Sequence, residues 1–516
     1  MQNRNVLGTR NCRINLWLPL LLVLAWPAEA PAQFSFVTNN NAITITGYTP
    51  GPRGPVTIPS AINGYPVTSI GTRAFYSKSS VTSVGIPDSI TNIGEYAFEF
   101  CYSLTNVVIG NSVISIGQSA FASCTSLTNV VIGNSVISIG QYAFDSCGMT
   151  EVTIPNNVTS IGATAFHNCT KLISMTIPNS VTNIGEGAFW DCTSLTSVTI
   201  PDSVTDIAGS VFDLCSSLTS VTIPDTVTSI GPGAFYACAL PSVMIPDSVT
   251  NIGAVAFYSC GLTNIIIPDS VVTIGAKALG FCHSLNSVNI GDSVTSIGEE
   301  AFGGCDSLTS IIVSANNPSY SSASGVLFNK NQTEIIAYPS VRGVYTIPSS
   351  VTTIGDYAFE WCWRLTSVTI PVSVTSIGTN AFEDCSSLTT AYFQGNAPPD
   401  NGTAFYQDGG TTVSYSPGTT GWAASFGSRP TATWELPYPT ILSGVNGNTN
   451  LGVQNGQFGF TISWATNLPA VVEACTNLAN PIWYSVATNT LTGGTSYFSD
   501  PQWTNYPGRF YRLRSP

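Results

Sequence analysis

Apolar and polar residues follow one another along most of this chain in a unit of about 23 residues, which repeats many times. In one copy Val198 and Ile200 are apolar and Thr199 between them is polar, as in a short strand with one buried face. Pro201 follows and has no N–H to donate, so the strand is expected to end there. A unit of this length cannot bury its apolar face alone, which predicts a solenoid of stacked units.

The second half of each unit has the apolar spacing of a short helix. In the same copy the apolar residues stand at i, i+4, i+5 and i+8, and they are Ile207, Val211, Phe212 and Cys215. Several copies also carry a capping box, in which Ser or Asn is followed three residues later by Glu or Gln. These pairs are Ser296 and Glu299, Asn183 and Glu186, Asn92 and Glu95, Ser115 and Gln118, and Ser138 and Gln141. One or two capped helical turns per unit are therefore expected.

These elements together predict an α/β solenoid. Stacked strands lie about 4.8 Å apart in a parallel sheet, whereas packed helices are about 10 Å wide. The helical side should splay, so we expect a curved stack with the parallel sheet on its inner wall and short helices outside. The motif Ile-Gly-x-x-Ala-Phe, with small variations, occurs thirteen times between Ile70 and Phe382, which indicates about 13 coils.

The pattern Leu-x-x-Val-x-Ile…Cys resembles the leucine-rich repeats, and more narrowly the BspA-like (treponemal-type) family. The resemblance covers residues from about Phe34 to about Trp434, and it includes a longer unit from Asn317 to Pro339. It implies a secreted or bacterial cell-surface protein that attaches to host or matrix proteins and to other cells. The family often has an acidic residue at the position of Ser324, so any role of that acidic residue in the family is not transferred to this chain.

Four regions follow from these patterns. Residues 1–32 resemble a signal peptide, 33–390 form the leucine-rich repeat solenoid with a hairpin insertion near 314–346, 391–436 cap the solenoid, and 437–516 form a small all-β tail domain. The insertion is read as a hairpin whose turn runs from Asn329 to Thr333. Trp422, Phe426 and Trp434 are the candidates for covering the last apolar layer. The tail resembles a β-sandwich of the fibronectin type.

The first residues indicate export. Arg4, Arg10 and Arg13 precede an apolar stretch, and Ala30-Pro31-Ala32 fits a small-x-small cleavage site before Gln33. The alternative is an uncleaved membrane anchor. If the segment is cleaved, we expect no membrane insertion of the mature chain and a secreted or bacterial cell-surface location.

Charge limits the possible partners. Only 8% of residues are charged, and the formal net charge is −13. Binding to nucleic acid needs clustered Lys and Arg, so nucleic acid is not an expected partner. The basic end of the tail, with Arg509, Arg512 and Arg514, is either a docking segment or a solvated final strand.

Cysteine recurs once per unit. Of 14 cysteines, twelve stand at the same repeat position, from Cys101 to Cys385. A disulfide needs Cα atoms within about 7 Å, and helix-wide spacing would keep these residues apart. We therefore expect buried free thiols rather than disulfides.

Carboxylates also form a row, which predicts at most a weak cation site. One turn position holds Asp202, Asp225, Asp247, Asp269 and Asp292 in consecutive units. Such a row could attract Ca²⁺, which prefers oxygen ligands, but Asp at this position also fits plain turn chemistry. The only two histidines, His167 and His283, stand on the outer side, and no metal or cofactor site is otherwise indicated.

The inner wall is the candidate ligand surface. Its outward columns are rich in hydroxyl groups, and they include Ser174, Thr176, Ser197, Thr199, Ser220 and Thr222. An extended extracellular protein or glycan could bind there through many weak contacts. Three functions remain open: a binding or adhesion protein, a non-catalytic spacer or matrix component, and an enzyme. No catalytic residues can be named, so an enzyme is not expected.

Overall fold

The structure is a computed structural model of the chain. It describes residues 33–339, 343–416, 418–434, 440–442, 451–464, 469–491 and 495–514. The predicted signal segment, residues 1–32, therefore lies outside the described residues.

The repeats form a β-solenoid of about 16 turns. Each regular turn contributes one strand to each of two rows, and the strands that pair within a row are parallel and in register. Ser197 lies opposite Ser220, for example, and Thr199 lies opposite Thr222. Val198 and its equivalents point into the core, so each turn buries its apolar residues between the turns on either side.

The first strand row carries the Leu-x-x-Val-x-Ile segment. Its strands are Gly54–Thr57, Val81–Ile86, Asn106–Ile109, Asn129–Val131, Glu151–Thr153, Ser174–Thr176, Ser197–Thr199, Ser220–Thr222, Asn264–Ile267, Ser287–Ile290, Ser310–Val313, Val344–Thr346, Ser367–Ile370, Thr390–Phe393, Thr412–Tyr415 and Arg429–Thr433. In the part of the chain that the structure describes, the turn containing Pro241 has no strand in this row. Proline has no N–H, so it cannot donate to the ladder at that point.

The second strand row ends at the Ile-Gly step of the motif. Its strands are Tyr65–Ile70, Asn92–Ile93, Ser115–Ile116, Ser138–Ile139, Ser160–Ile161, Asn183–Ile184, Asp206–Ile207, Ser229–Ile230, Asn251–Ile252, Thr273–Ile274, Ser296–Ile297, Glu334–Ala337, Thr353–Ile354 and Ser376–Ile377. The antiparallel strands Phe34–Asn39 and Ala42–Tyr48 begin this sheet, and Ala61–Ile62 pairs with Tyr65–Ile70.

The predicted outer helices are wrong, because the described residues contain no α-helix. Each outer segment instead makes two successive turns, and each turn has a residue of positive φ. In residues 117–124 these are Ser119 (φ 51°) and Ser123 (φ 58°). Two left-handed residues four positions apart are incompatible with an α-helix. The same spacing of four places the apolar residues on one side, which explains why it resembled a helix.

Backbone hydrogen bonds join each outer segment to its neighbour. The amides of Ser119, Phe121 and Ser123 donate to carbonyls of the following turn at 2.8 Å. The intervening amides of Ala120, Ala122 and Cys124 donate to carbonyls three residues earlier at 3.1–3.3 Å. We call this arrangement the outer ladder. It lets half of the amides hold the stack together while the other half close the local turns.

The predicted curvature therefore loses its physical basis. Successive Phe rings behind the outer ladder lie 4.6–5.6 Å apart between centroids, for example 5.4 Å between Phe121 and Phe144. This is close to the spacing of parallel strands and about half a helix diameter. The outer side has no wide elements that would force it to splay, and the first strand row is not specifically an inner wall.

The insertion interrupts both strand rows and the outer ladder. It contains Tyr320–Ala323, Val326–Asn329 and Glu334–Ala337, of which the last pairs in parallel with Thr353–Ile354. The predicted hairpin across Asn329–Thr333 is present, but the pairing of Tyr320–Ala323 with Val326–Asn329 was not foreseen. Ser324 (φ 51°) and Gly325 (φ 83°) form its tight turn, as two-residue hairpin loops require.

Aromatic residues cover the last turn of the solenoid. Phe393 contacts Trp422 and Phe426, with ring centroids 4.9 and 5.5 Å apart. Trp434, also predicted to cover this layer, instead lies tilted against the ring of Tyr392 at 4.7 Å and does not belong to this core cluster. Ser425–Phe426 forms a short antiparallel pair with Arg429–Thr433.

The tail has its own small core. Its strands are Thr440–Leu442, Gly452–Gln454, Gln457–Ser463, Pro469–Cys475, Tyr484–Thr490, Thr495–Asp500 and Phe510–Arg514, with a short 3₁₀ helix at Trp503–Asn505. They form two antiparallel sheets, and Phe460, Ile462, Val472 and Phe498 lie in the core between them. Buried Glu473 bonds Arg512 and Arg514 at 2.7–2.8 Å, so these two arginines of the last strand are paired within the tail.

Candidate binding surface

The six predicted hydroxyl residues lie on the exposed face of the first strand row. Ser174, Thr176, Ser197, Thr199, Ser220 and Thr222 are all exposed, on three consecutive strands. Because the rows are in register, these residues form straight columns along the solenoid. Binding at these columns remains a prediction.

An apolar patch continues one of these columns and was missed in the sequence. At the position of Thr222 the later turns have Met244, Ile266, Asn289 and Ile312. Met244 is 83% exposed, Ile266 66% and Ile312 50%. They border a shallow groove of about 600 Å³ next to the turn that lacks a strand. The signal is present in the sequence, because Met244, Ile266 and Ile312 stand at the repeat position that holds Thr176, Thr199 and Thr222 in earlier turns.

The predicted acidic row lies beside this patch. Asp202, Asp225, Asp247 and Asp269 are exposed and Asp292 is half-buried, and Asp247 and Asp269 also line the groove. The carboxylate of Asp269 accepts the amide of Asp292 at 3.0 Å, so one role of the row is to join neighbouring turns. Within the described ranges no three Asp, Glu, His or Cys side chains lie close enough to hold a metal ion. Calcium binding by this row remains a prediction, which thermal denaturation in millimolar Ca²⁺ would test.

The repeat cysteines are buried thiols that bond to the backbone. Each donates to a carbonyl of the preceding turn, as Cys124 does to Phe98 at 3.2 Å and Cys385 to Phe359 at 3.0 Å. Burial raises the pKa of Cys169, Cys215 and Cys282 to about 12, so these thiols stay protonated and unreactive at neutral pH. Helix-wide spacing was the wrong reason for expecting free thiols. The thiols are free because the cysteine side chains lie parallel to one another and each donates to a backbone carbonyl of the preceding turn.

Both histidines contact a carboxylate on the outer side. Nδ1 of His167 lies 2.6 Å from Asp145, and Nδ1 of His283 lies 2.7 Å from Asp306. Ser146 bonds the same Asp145 carboxylate rather than the imidazole, so this group does not have the geometry of an activated serine.

No helix among the described residues is both long and apolar enough to cross a bilayer.

Comparison with known proteins agrees with this repeat architecture. The family described as BspA type leucine-rich repeat region (6 copies) matches residues 56–172, 137–262, 250–342 and 344–414. No curated protein matches this chain.

Several solved structures are similar to this chain. A leucine-rich repeat protein from Bacteroides ovatus ATCC 8483 is 29% identical, with a TM-score of 0.53, and the match covers 70% of this chain and 92% of that one. A leucine-rich repeat protein from T. pallidum is 30% identical, with a TM-score of 0.32 and coverage of 40% and 87%. A leucine-rich cell surface protein from Faecalibacterium prausnitzii A2-165 is 28% identical, with a TM-score of 0.31 and coverage of 75% and 88%.

Proposed function

Because this chain belongs to the BspA-type leucine-rich repeat family, we propose that it is an exported, non-catalytic scaffold that binds a protein or glycan outside the cell. Membership of this repeat family is consistent with protein binding. Secretion or cell-surface display is inferred from the basic and apolar segment that precedes Gln33.

The observation that supports binding most is the apolar patch at Met244, Ile266 and Ile312. Three large apolar side chains are exposed within four successive turns of this column, directly after the turns that carry Thr176, Thr199 and Thr222; the smaller Val108 and Val131 are exposed at the same position earlier in the stack. Contiguous exposed apolar surface with a polar rim is typical of interaction sites. The hydroxyl columns on either side would add weak contacts along an extended ligand.

Binding to an array of extracellular proteins and glycans tests this function. The chain from Gln33 should bind at least one of them saturably. The triple substitution M244S/I266S/I312S, which restores hydroxyl groups to the column, should weaken that binding at least about tenfold, or about 1.4 kcal/mol.

The matched control is T176S/T199S/T222S, which changes the same column in turns without the patch. It should leave the affinity within a factor of about two. If the chain binds none of the immobilised molecules saturably, the alternative function, a structural spacer or matrix component, is favoured.

A further inference from the structure

The hairpin insertion leaves a cavity in the outer side of the solenoid. The cavity has a volume of about 140 Å³ and lies between turn 298–305 and turn 355–362. Five carboxyl side chains line it, although only 8% of the residues in this chain are charged. They are Glu299, Glu300, Glu334, Asp356 and Glu360.

Glu360 is the buried member of this group. It is only 9% exposed, and apart from the Glu300 carboxyl its Oε2 has no hydrogen-bond partner among the described residues. Oε2 faces Gly303, where an added Cβ would be 3.3 Å away. A buried carboxyl group whose partner is a second carboxyl group is costly once it ionises, so its retention calls for a physical explanation.

The electrostatics of Glu360 favour a positively charged ligand. Burial raises the pKa of Glu360 to about 8, and the negative charge of Glu300, a side-chain hydrogen bond with Glu300 and the negative charge of Glu383 act in the same direction. Lys277 opposes them, but its Nζ is already bonded to Glu300 at 2.8 Å. Glu360 therefore keeps its proton at neutral pH, and a cation placed beside it would favour the ionised form.

The arrangement fits an extended cation better than a metal ion. No three of these carboxyl groups are close enough to hold a metal ion. A guanidinium group carries five N–H donors in one plane and bonds carboxylates that are spread around it. Tyr338 and Tyr357 also line the cavity, and aromatic faces attract planar cations. A cavity of about 150 Å³ is large enough for benzene, so a guanidinium group fits in this one.

We propose that this cavity binds the guanidinium group of an arginine side chain presented by a partner protein. Glu360 and Glu300 accept its hydrogen bonds, and Glu360 releases its proton to solvent as the cation enters. The guanidinium keeps its own proton. Only the source of the arginine rests on the proposed binding function, since the cavity itself is independent of the first strand row.

Titration calorimetry with N-acetyl-arginine amide tests the site in the chain from Gln33. At pH 7, in two buffers of different ionisation enthalpy, we expect saturable binding with release of roughly 0.9 proton per ligand, because a group of pKa about 8 is mostly protonated there. N-acetyl-citrulline amide, which has the same shape without the charge, should not bind.

Two variants connect this binding to Glu360. E360Q should weaken binding of the arginine probe at least about tenfold and abolish proton release. G303A, which narrows the cavity and keeps every carboxyl group, should also weaken binding. The control E99Q changes the equivalent repeat position in the regular stack and should leave binding unchanged.

Several results would overturn the proposal. These are no binding of the arginine probe, equal binding by E360Q, or displacement of the probe by equimolar Ca²⁺. If the arginine probe binds while no extracellular molecule is captured, the cavity assignment stands and the proposed function fails.

Discussion

The regular outer ladder and the junction at the insertion, where turn 298–305 meets turn 355–362, place similar residues in different surroundings. In residues 117–124 the amides of Ser119, Phe121 and Ser123 all donate to the next turn. Glu300, Phe302 and Gly304 occupy the same repeat positions at the junction, but their amides donate to no described backbone carbonyl of the following unit. The insertion supplies one comparable bond, from Tyr338 to Ala358 at 2.8 Å.

This difference indicates how the solenoid is stabilised. A left-handed conformation costs an ordinary residue roughly 1–2 kcal/mol, and the bonds to the next turn offset that cost. Where the next turn is missing, the chain leaves a cavity and a carboxyl group with a raised pKa instead of a filled layer. The regular turns therefore depend on their neighbours, and the junction is the place where a ligand could replace a neighbour.

Removing a core ring should have a large effect in the stack and a smaller one at the junction. Phe212 lies between the rings of Phe189 and Phe235, each 5.6 Å away, whereas Phe302 lines the cavity. We expect F212A to lower the free energy of unfolding by about 3–5 kcal/mol and F302A to lower it by about half as much. Urea denaturation measures both, and equal losses would contradict the contrast.

The next-largest difference in stability loss between the two regions is expected when a methyl group is added to a glycine in each of them. A Cβ on Gly140 would be 2.7 Å from the carbonyl carbon of Gly117, which is fixed backbone. On Gly303 its nearest neighbour would be the end of the Glu360 side chain at 3.3 Å, with Cβ and the carbonyl oxygen of Glu300 at an ordinary contact distance of 3.4 Å. G140A should lower stability by about 1–3 kcal/mol, and G303A by less than about 1 kcal/mol. G85A, where nothing lies within 4 Å, is the control for thermal denaturation.

Glu360 should make stability fall as pH rises. Because its pKa is about 8 in the folded chain and about 4.3 when unfolded, the folded state binds more protons between these values. Stability is therefore undiminished below about pH 4 and is lost progressively up to about pH 8.

The E360Q variant should have a flatter dependence of melting temperature on pH from 5 to 8 than the unchanged chain. Burial also raises the pKa of Glu99, at the equivalent position in the regular stack, so E99Q should flatten the curve in the same direction but less. Parallel curves for E360Q and the unchanged chain would show that Glu360 ionises normally.

The repeat spacing was enough to predict the stack, the register and the core. The alternation of apolar and polar residues around Val198 predicted the first strand row correctly, and Pro201 follows the end of the strand Ser197–Thr199. The outer segments could not be predicted in the same way. The spacing of four between apolar residues is common to a helix and to two consecutive turns, and residues such as Val255 (φ 50°) and Trp361 (φ 57°) give no local sign of a left-handed backbone.

The candidate sites were predictable to different extents. The hydroxyl columns follow from the repeat, and the row of Asp202 and its equivalents lies at the expected turn. The pairing of Glu300 with Glu360 joins residues from turns separated by the insertion, so sequence periodicity alone could not bring them together.

The free energies of unfolding of V255G and V255A test the outer ladder most directly. With Val255 in a left-handed conformation, V255G should be more stable than V255A by about 1 kcal/mol, because glycine adopts positive φ without penalty. A helical outer segment would give the reverse order, with V255A more stable by about 1 kcal/mol, and that result would contradict the account.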